Sequence, residues 1–193
     1  MFAQTDRLIL RRFTPADAEQ FAAYRSDPDV ARFQSWEAPV PLADARRTVE
    51  QFAAGDPEAA GWFQYAVDLD GVLVGDLGLN LSDNLMQADL GFTLATAYQG
   101  QGYASEAVRG LLHHVFVDRE LHRVSAECDA RNTASARLLE RVGFTREGLR
   151  LSNSWFKGEW TDDLLFGLLR DDYLSRPLDR HLDRQPPTPG PSA

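Results

Sequence analysis

Residues 90–108, from Leu90 to Val108, read LGFTLATAYQGQGYASEAV. They pass from a β-rich run through a turn with two glycines into the most regular amphipathic pattern of the chain. Ala88 to Leu94 predicts a strand, and Ala104, Ala107, Val108, Leu111, Leu112, Val115 and Phe116 then recur at helical spacing. Between the two stand Gln99, Gly100, Gln101, Gly102 and Tyr103. A helix N-terminus carries unpaired amides and the positive end of a dipole, and glycine lets backbone approach a phosphate with no Cβ in the way. The stretch therefore reads either as a pyrophosphate-binding turn or as an ordinary strand-to-helix loop with turn glycines. It matches neither the Walker pattern nor the dinucleotide fingerprint.

Upstream, Thr5 to Arg12 alternates around Leu8 and Leu10 and predicts a strand. Thr14-Pro15-Ala16-Asp17 offers a hydroxyl cap, a proline for the first helical position and an early acid, so a helix follows and ends near Asp27-Pro28. A second helix is expected from near Pro41 to Gly55. Trp62 to Asp68 and Val72 to Leu79, joined by Leu69-Asp70-Gly71, read as an antiparallel hairpin. Downstream come a strand over Arg123 to Cys128 and a helix over Thr133 to Val142 that stops at Gly143. Strands over Leu149 to Trp155 and Thr161 to Leu169 follow, around a Lys157-Gly158 turn. This order predicts a single mixed α/β domain over residues 1–175. Half of the chain's ten prolines fall after Arg176, so residues 176–193 read as a proline-rich extended tail.

Composition narrows the function. Hydrophobic residues make up 44% and charged residues 25% of the 193 residues, close to globular averages, so wholesale disorder, a fibre and a coiled coil fit poorly. The net charge of −9 argues against nucleic acid and for a cationic partner. Cys128 is the only cysteine, and with four scattered histidines it offers no metal-binding spacing. No long apolar run suits a membrane span or a cleaved leader, so a cytoplasmic protein is expected. His113 and His114 lie late in the helix after the glycine turn, away from its N-terminus.

Gln99-Gly100-Gln101-Gly102-Tyr103-Ala104 resembles the Gln/Arg-x-x-Gly-x-Gly/Ala signature of the GNAT acyltransferase superfamily. The run from Asn132 through Ser135 to Gly143-Phe144 is similar to the Asn-x-x-Ser helix of its RimJ/RimL-like branch, as are Thr5 to Arg11 and Asp162. The resemblance spans residues 5 to 175. It implies the GNAT fold, with a strongly twisted, mostly antiparallel sheet of about seven strands, splayed to admit the pantetheine arm of acetyl-CoA. It also implies acetyl-CoA as acyl donor, no metal, and a homodimer as a family-level expectation. By the same resemblance, the backbones of Phe92 and Leu94 would pair with pantetheine. The amides from Gln99 to Ala104, including Gly100, Gln101, Gly102 and Tyr103, would hold the pyrophosphate, and Asn132 and Ser135 would lie near the thioester.

Asn132 is also a fitting helix cap. Ser135 shares a helical face with Leu138, Leu139 and Val142, so its hydroxyl points inward, either to a carbonyl one turn back or to the departing thiolate. Direct amine attack on a thioester requires no enzyme nucleophile. Cys128, among β residues, reads as a small buried hydrophobe. Where ribosomal-protein acetyltransferases of this branch carry a glutamate proposed as base, this chain has Ser154, a departure from the pattern. Asp89 is the replacement candidate, with Glu127 on the next strand behind it. Each could equally be a surface carboxylate or an ion-pair partner. Phe33 and Trp36, with Trp155 beside Ser154, could line an acceptor groove or simply pack. The expected function is acetyl-CoA-dependent N-acetylation of a protein or peptide N-terminal amine. The alternatives are a polyamine or aminoglycoside acceptor, or an acyl-CoA sensor without turnover.

Overall fold

The chain's hydrophobic alternations resolve into strands at Ala3–Gln4 (β1), Ile9–Arg12 (β2), Gly61–Leu69 (β3), Val72–Leu81 (β4), Gln87–Leu94 (β5), Arg123–Asp129 (β6), Thr145–Phe156 (β7) and Glu159–Leu169 (β8). In the computed structural model, which describes residues 1–175, all eight join one sheet in the order β1-β2-β3-β4-β5-β6-β8-β7. The expected proline-rich tail, 176–193, lies outside the described residues. Eight strands stand where about seven were expected, because Ala3 and Gln4 pair with Leu10 and Ile9. The strand expected over Thr5 to Arg12 starts only at Ile9: Thr5 and Leu8 close a turn, the Leu8 amide donating to Thr5 Oγ1 at 3.0 Å.

The helices are Ala18–Arg25 (α1), Pro28–Ala31 (α2), Leu42–Ala54 (α3), Tyr103–His113 (α4), Thr133–Val142 (α5) and Arg170–Ser175 (α6). The short α2 escaped the sequence because Asp27-Pro28 reads as a stop. Here it is a start, with Asp27 Oδ1 accepting from the Asp29 amide at 2.9 Å. Gly143, at φ 109°, ends α5 in the left-handed conformation that glycine adopts without a Cβ penalty.

Each face of the sheet buries its own cluster. Val108, Leu111 and Leu112 of α4 and Leu139 of α5 pack with Tyr65, Leu77, Leu90, Val124 and Phe166. On the other face Phe21 of α1 and Val49 of α3 pack with Phe13, Ala66 and Leu73. The alternation of Tyr65, Ala66 and Val67 between the clusters is the two-residue strand period expressed in burial. Truncating a fully buried leucine such as Leu111 to alanine costs about 2–5 kcal/mol.

One pairing differs from the rest. β5 and β6 are parallel and pair only from Gln87–Arg123 to Leu90–Ala126. Beyond that point β5 stays with β4 as far as Leu94–Gly75, and β6 stays with β8 as far as Asp129–Asp163. Gly91 to Leu94 and Glu127 to Asp129 are therefore the two arms of a fork within the sheet.

Candidate active site

Backbone direction decides what this fork offers. The Ala95 amide donates to the Val74 carbonyl and the Ser82 amide to the Gln87 carbonyl, both at 2.9 Å. Odd-numbered residues of β5 thus turn their peptide groups toward β4, and Phe92 and Leu94 turn theirs into the opening. Two glutamines already reach these carbonyls: Gln34 Nε2 donates to Phe92 O at 3.3 Å and Gln99 Nε2 to Leu94 O at 2.9 Å.

A cleft of about 540 Å3 opens here, bounded by Phe92 and Leu94, the glycine turn, Phe33 and Gln34, and the first turns of α5. Gly100 and Gly102 hold φ of 73° and 85°, so the turn requires glycine at both. The amides from Gly100 through Ser105 have no protein acceptor among the described residues, whereas the Gln99 amide is held by the Thr96 carbonyl at 3.1 Å. The expected amide cradle therefore begins at Gly100, and Gln99 contributes through its side chain. Gln101 does not line the cleft; its carbonyl accepts from Arg7 Nη1 at 3.2 Å. Tyr103 and Ala104 do line it, as the first residues of α4.

Asn132 caps α5, its Oδ1 accepting from the Ser135 amide at 3.1 Å, and it also faces the cleft. Ser135 is half-buried at the rim, and its hydroxyl makes no hydrogen bond among the described residues. The bond to a carbonyl one turn back is not made, which leaves the hydroxyl to the cleft.

The sheet face opposite α4 and α5 carries the carboxylates. Trp62, Asn80, Asp89 and Ser125 form one row across β3 to β6, and Gln64, Gly78 and Gly91 form the next. Asp89 is exposed, accepts from Asn80 Nδ2 at 3.4 Å and stands where β5 and β6 are still paired. Glu127 is the first residue of β6 past the fork. Burial, and then the neighbouring Asp163 carboxylate, hold its proton affinity above that of an ordinary glutamate against the pull of Arg150, which reaches Oε2 at 3.2 Å. Neither carboxylate lines the cleft itself.

The expected acceptor residues divide. Phe33 lines the cleft. Trp36 packs inward, its Nε1 donating to the Arg25 carbonyl at 3.0 Å with the Arg25 guanidinium 3.9 Å from its ring. Ser154 Oγ donates to Asp163 Oδ2 at 2.6 Å. Trp155 pairs with Trp160 across the hairpin, exposed and on the opposite side of β7 from Ser154.

The splayed sheet, the opened peptide groups and the glycine turn coincide with a known family: residues 7–145 match the acetyltransferase (GNAT) domain. The chain belongs to the GNAT acetyltransferases. An uncharacterized N-acetyltransferase, p20, of Bacillus licheniformis is 31% identical over 171 residues, 88% of this chain and 96% of that protein. The crystal structure of a GNAT-family acetyltransferase from Bacillus anthracis superposes with a TM-score of 0.79 at 30% identity, covering 89% of this chain and 99% of the other. The ribosomal protein uS5-alanine N-acetyltransferase of Escherichia coli is 30% identical over 84 residues, 44% of this chain and 43% of that enzyme. The relationship fits the RimJ/RimL-like branch.

Several residues in and around this acetyltransferase's candidate site were missed in the sequence. Glu106 of α4 receives Thr5 Oγ1 at 2.6 Å, the Arg7 amide at 2.8 Å and Arg7 Nε at 2.7 Å. Burial would push its carboxyl up, but these donors outweigh it and hold the group below its ordinary range. Arg7 also lies 4.2 Å from the Tyr103 ring, so the N-terminal turn clamps the start of α4. Arg137 and Arg141, four apart on α5, bring two exposed cations to the cleft, and their spacing was the available signal. The Cys128 thiol is pushed up to about 11, by burial first and then by Asp129, Asp163 and Glu127, which leaves it no nucleophile at neutral pH. Among the described residues no group of three or more His, Cys, Asp or Glu could hold a metal, and no helix is long and apolar enough to cross a membrane.

Proposed function

We propose that this N-acetyltransferase moves the acetyl group of acetyl-CoA directly to a primary amine, the α-amino group of a protein or peptide N-terminus. The observation that carries the reading is the fork: peptide groups of Phe92 and Leu94 face an opening that continues onto unpaired amides at the head of α4. A pantetheine arm carries amides that can add to β5 as a short strand, and a pyrophosphate suits the amides from Gly100 through Ala104. Arg137 and Arg141 complement the same phosphates.

The donor supplies an activated thioester, and the remaining requirements fall on the chain. Glu127 accepts the proton of the incoming ammonium, because it stands at the fork and binds a proton more tightly than an ordinary glutamate. Asp89, one row away, adds negative charge that favours a cationic acceptor. The Leu94 amide hydrogen-bonds the thioester oxygen as charge develops, and the Ser135 hydroxyl donates to the departing sulfur. An α-amino group, with a pKa of about 7.7–8.0, needs less help from a base than a lysine near about 10.4. A small cationic amine is the second reading, favoured by Asp89, Glu127 and Asp163 sharing one face of the sheet.

The test is thiol release from acetyl-CoA with peptides of varied N-termini, polyamines and aminoglycosides, and products identified by mass. Saturable turnover with peptides supports the proposal. Turnover confined to polyamines or aminoglycosides selects the second reading. Tight acetyl-CoA binding without turnover on any amine, folded basic proteins included, removes the catalytic reading.

A further inference from the structure

We infer that Asp163, held by Ser154 and Asn153, is a positioning residue that makes Glu127 a usable base, an inference that rests on the reading of Glu127 as proton acceptor. The geometry begins in β7. Between Arg150 and Ser154 this strand takes four steps where β8 takes two, from Asp163 to Thr161. Ser152 sits at φ 44° within that bulge, and its amide donates to Asp162 Oδ1 at 2.8 Å. The extra residues bring two polar side chains to one point: Asn153 Nδ2 and Ser154 Oγ both donate to Asp163 Oδ2, at 2.8 and 2.6 Å. Bulges re-aim side chains in this way beside functional sites.

Asp163 is 5% exposed and stands opposite Asp129 of β6; Glu127, opposite Leu165, is the next residue of β6 on the same face, diagonal to Asp163 and raised in proton affinity by it. The groups facing Glu127 are Asp163 from β8, Arg150 from β7 and Asp89 from β5. Two carboxylates this close resist being ionised together. Asp163 Oδ2 has two fixed donors, Asn153 and Ser154. Glu127 has only Arg150, whose side chain is 54% exposed. Glu127 therefore holds a proton more tightly than an ordinary glutamate does. Ser154 acts one residue removed: it anchors the carboxylate that tunes the base.

The test is the pH profile of kcat/KM with a peptide acceptor, together with an NMR titration of the Glu127 carboxyl that needs no turnover. Asp163→Asn keeps the shape and removes the charge. The expected result is an acidic limb, and a Glu127 titration, displaced downward by about one pH unit, with acetyl-CoA affinity unchanged. A limb and a titration that stay in place in the folded variant overturn the inference. If Asp163→Asn does not fold, Ser154→Ala serves: with one anchor gone the Asp163 carboxylate is held less firmly beside Glu127, and the limb moves downward by a few tenths of a pH unit. An unmoved limb in Ser154→Ala overturns the inference as well. Glu127→Gln separates the two claims. If it keeps wild-type turnover while the Glu127 titration still shifts in Asp163→Asn, the coupling stands and the assignment of the base falls.

Discussion

At the scale of single residues, the proposed chemistry rests on two side chains with opposite histories. Ser135 announced itself by sharing a helical face with Leu138, Leu139 and Val142, and its hydroxyl is left to the cleft. Ser135→Ala should lower kcat by about 10- to 100-fold while calorimetric affinity for acetyl-CoA stays within twofold. Glu127 stood second to Asp89 in the sequence, because nothing local says that β5 and β6 part immediately before it. Its stability signature has a definite sign. The folded-state pKa is raised above the unfolded value, so the native state holds the extra proton in between, and stability falls as pH rises through that window. Glu127→Gln removes this cost. Its thermal midpoint should exceed that of the parent at about pH 8, and the difference should vanish below about pH 4. A uniformly lowered midpoint would mean that the Arg150 contact outweighs the repulsion.

At the scale of elements, local pattern was legible and pairing order was not. The hairpin of β3 and β4 and the helices α4 and α5 stand close to where spacing put them, since period and turn chemistry are short-range signals. The clamp between Thr5, Arg7 and Glu106 joins residues about a hundred positions apart, and no window along the chain contains both sides. The same holds for Asp163 with Glu127, and for Gly75, where an added Cβ would stand 2.3 Å from the Thr93 carbonyl oxygen and 3.0 Å from Leu94 Cα. That glycine lets β4 lie tightly against the arm of the fork. Gly75→Ala should destabilise the fold by about 1–3 kcal/mol, read by denaturant unfolding, and weaken acetyl-CoA binding together with it. Gly102→Val strains the turn: at φ 85° a β-branched residue is disfavoured, so acetyl-CoA affinity should fall at least tenfold in a still-folded protein whose melting temperature drops by about 2–4 °C per kcal/mol of strain. Unchanged affinity there would remove the turn from the binding site.

For the whole molecule, the net charge of −9 is unevenly used. Arg137 and Arg141 face the cleft, while Asp89, Glu127 and Asp163 face the other side of the fork, so donor and acceptor would meet fields of opposite sign. Raising salt should therefore increase KM for a cationic acceptor severalfold and change kcat little, measured by steady-state assays across an ionic-strength series. Composition suggested a cationic partner but could not say which face of the sheet would meet it. The bulge in β7 carries one more consequence. The sheet ends on one side in β1, only two residues long, and on the other in β7, twelve residues long and largely exposed. A regular open edge of that length is a template for further strands, and thus for polymerisation. Between Arg150 and Ser154 the edge turns out of register, so an incoming strand cannot follow it from end to end. The distortion that aims Ser154 at Asp163 also keeps the exposed rim of the enzyme from seeding its own aggregation.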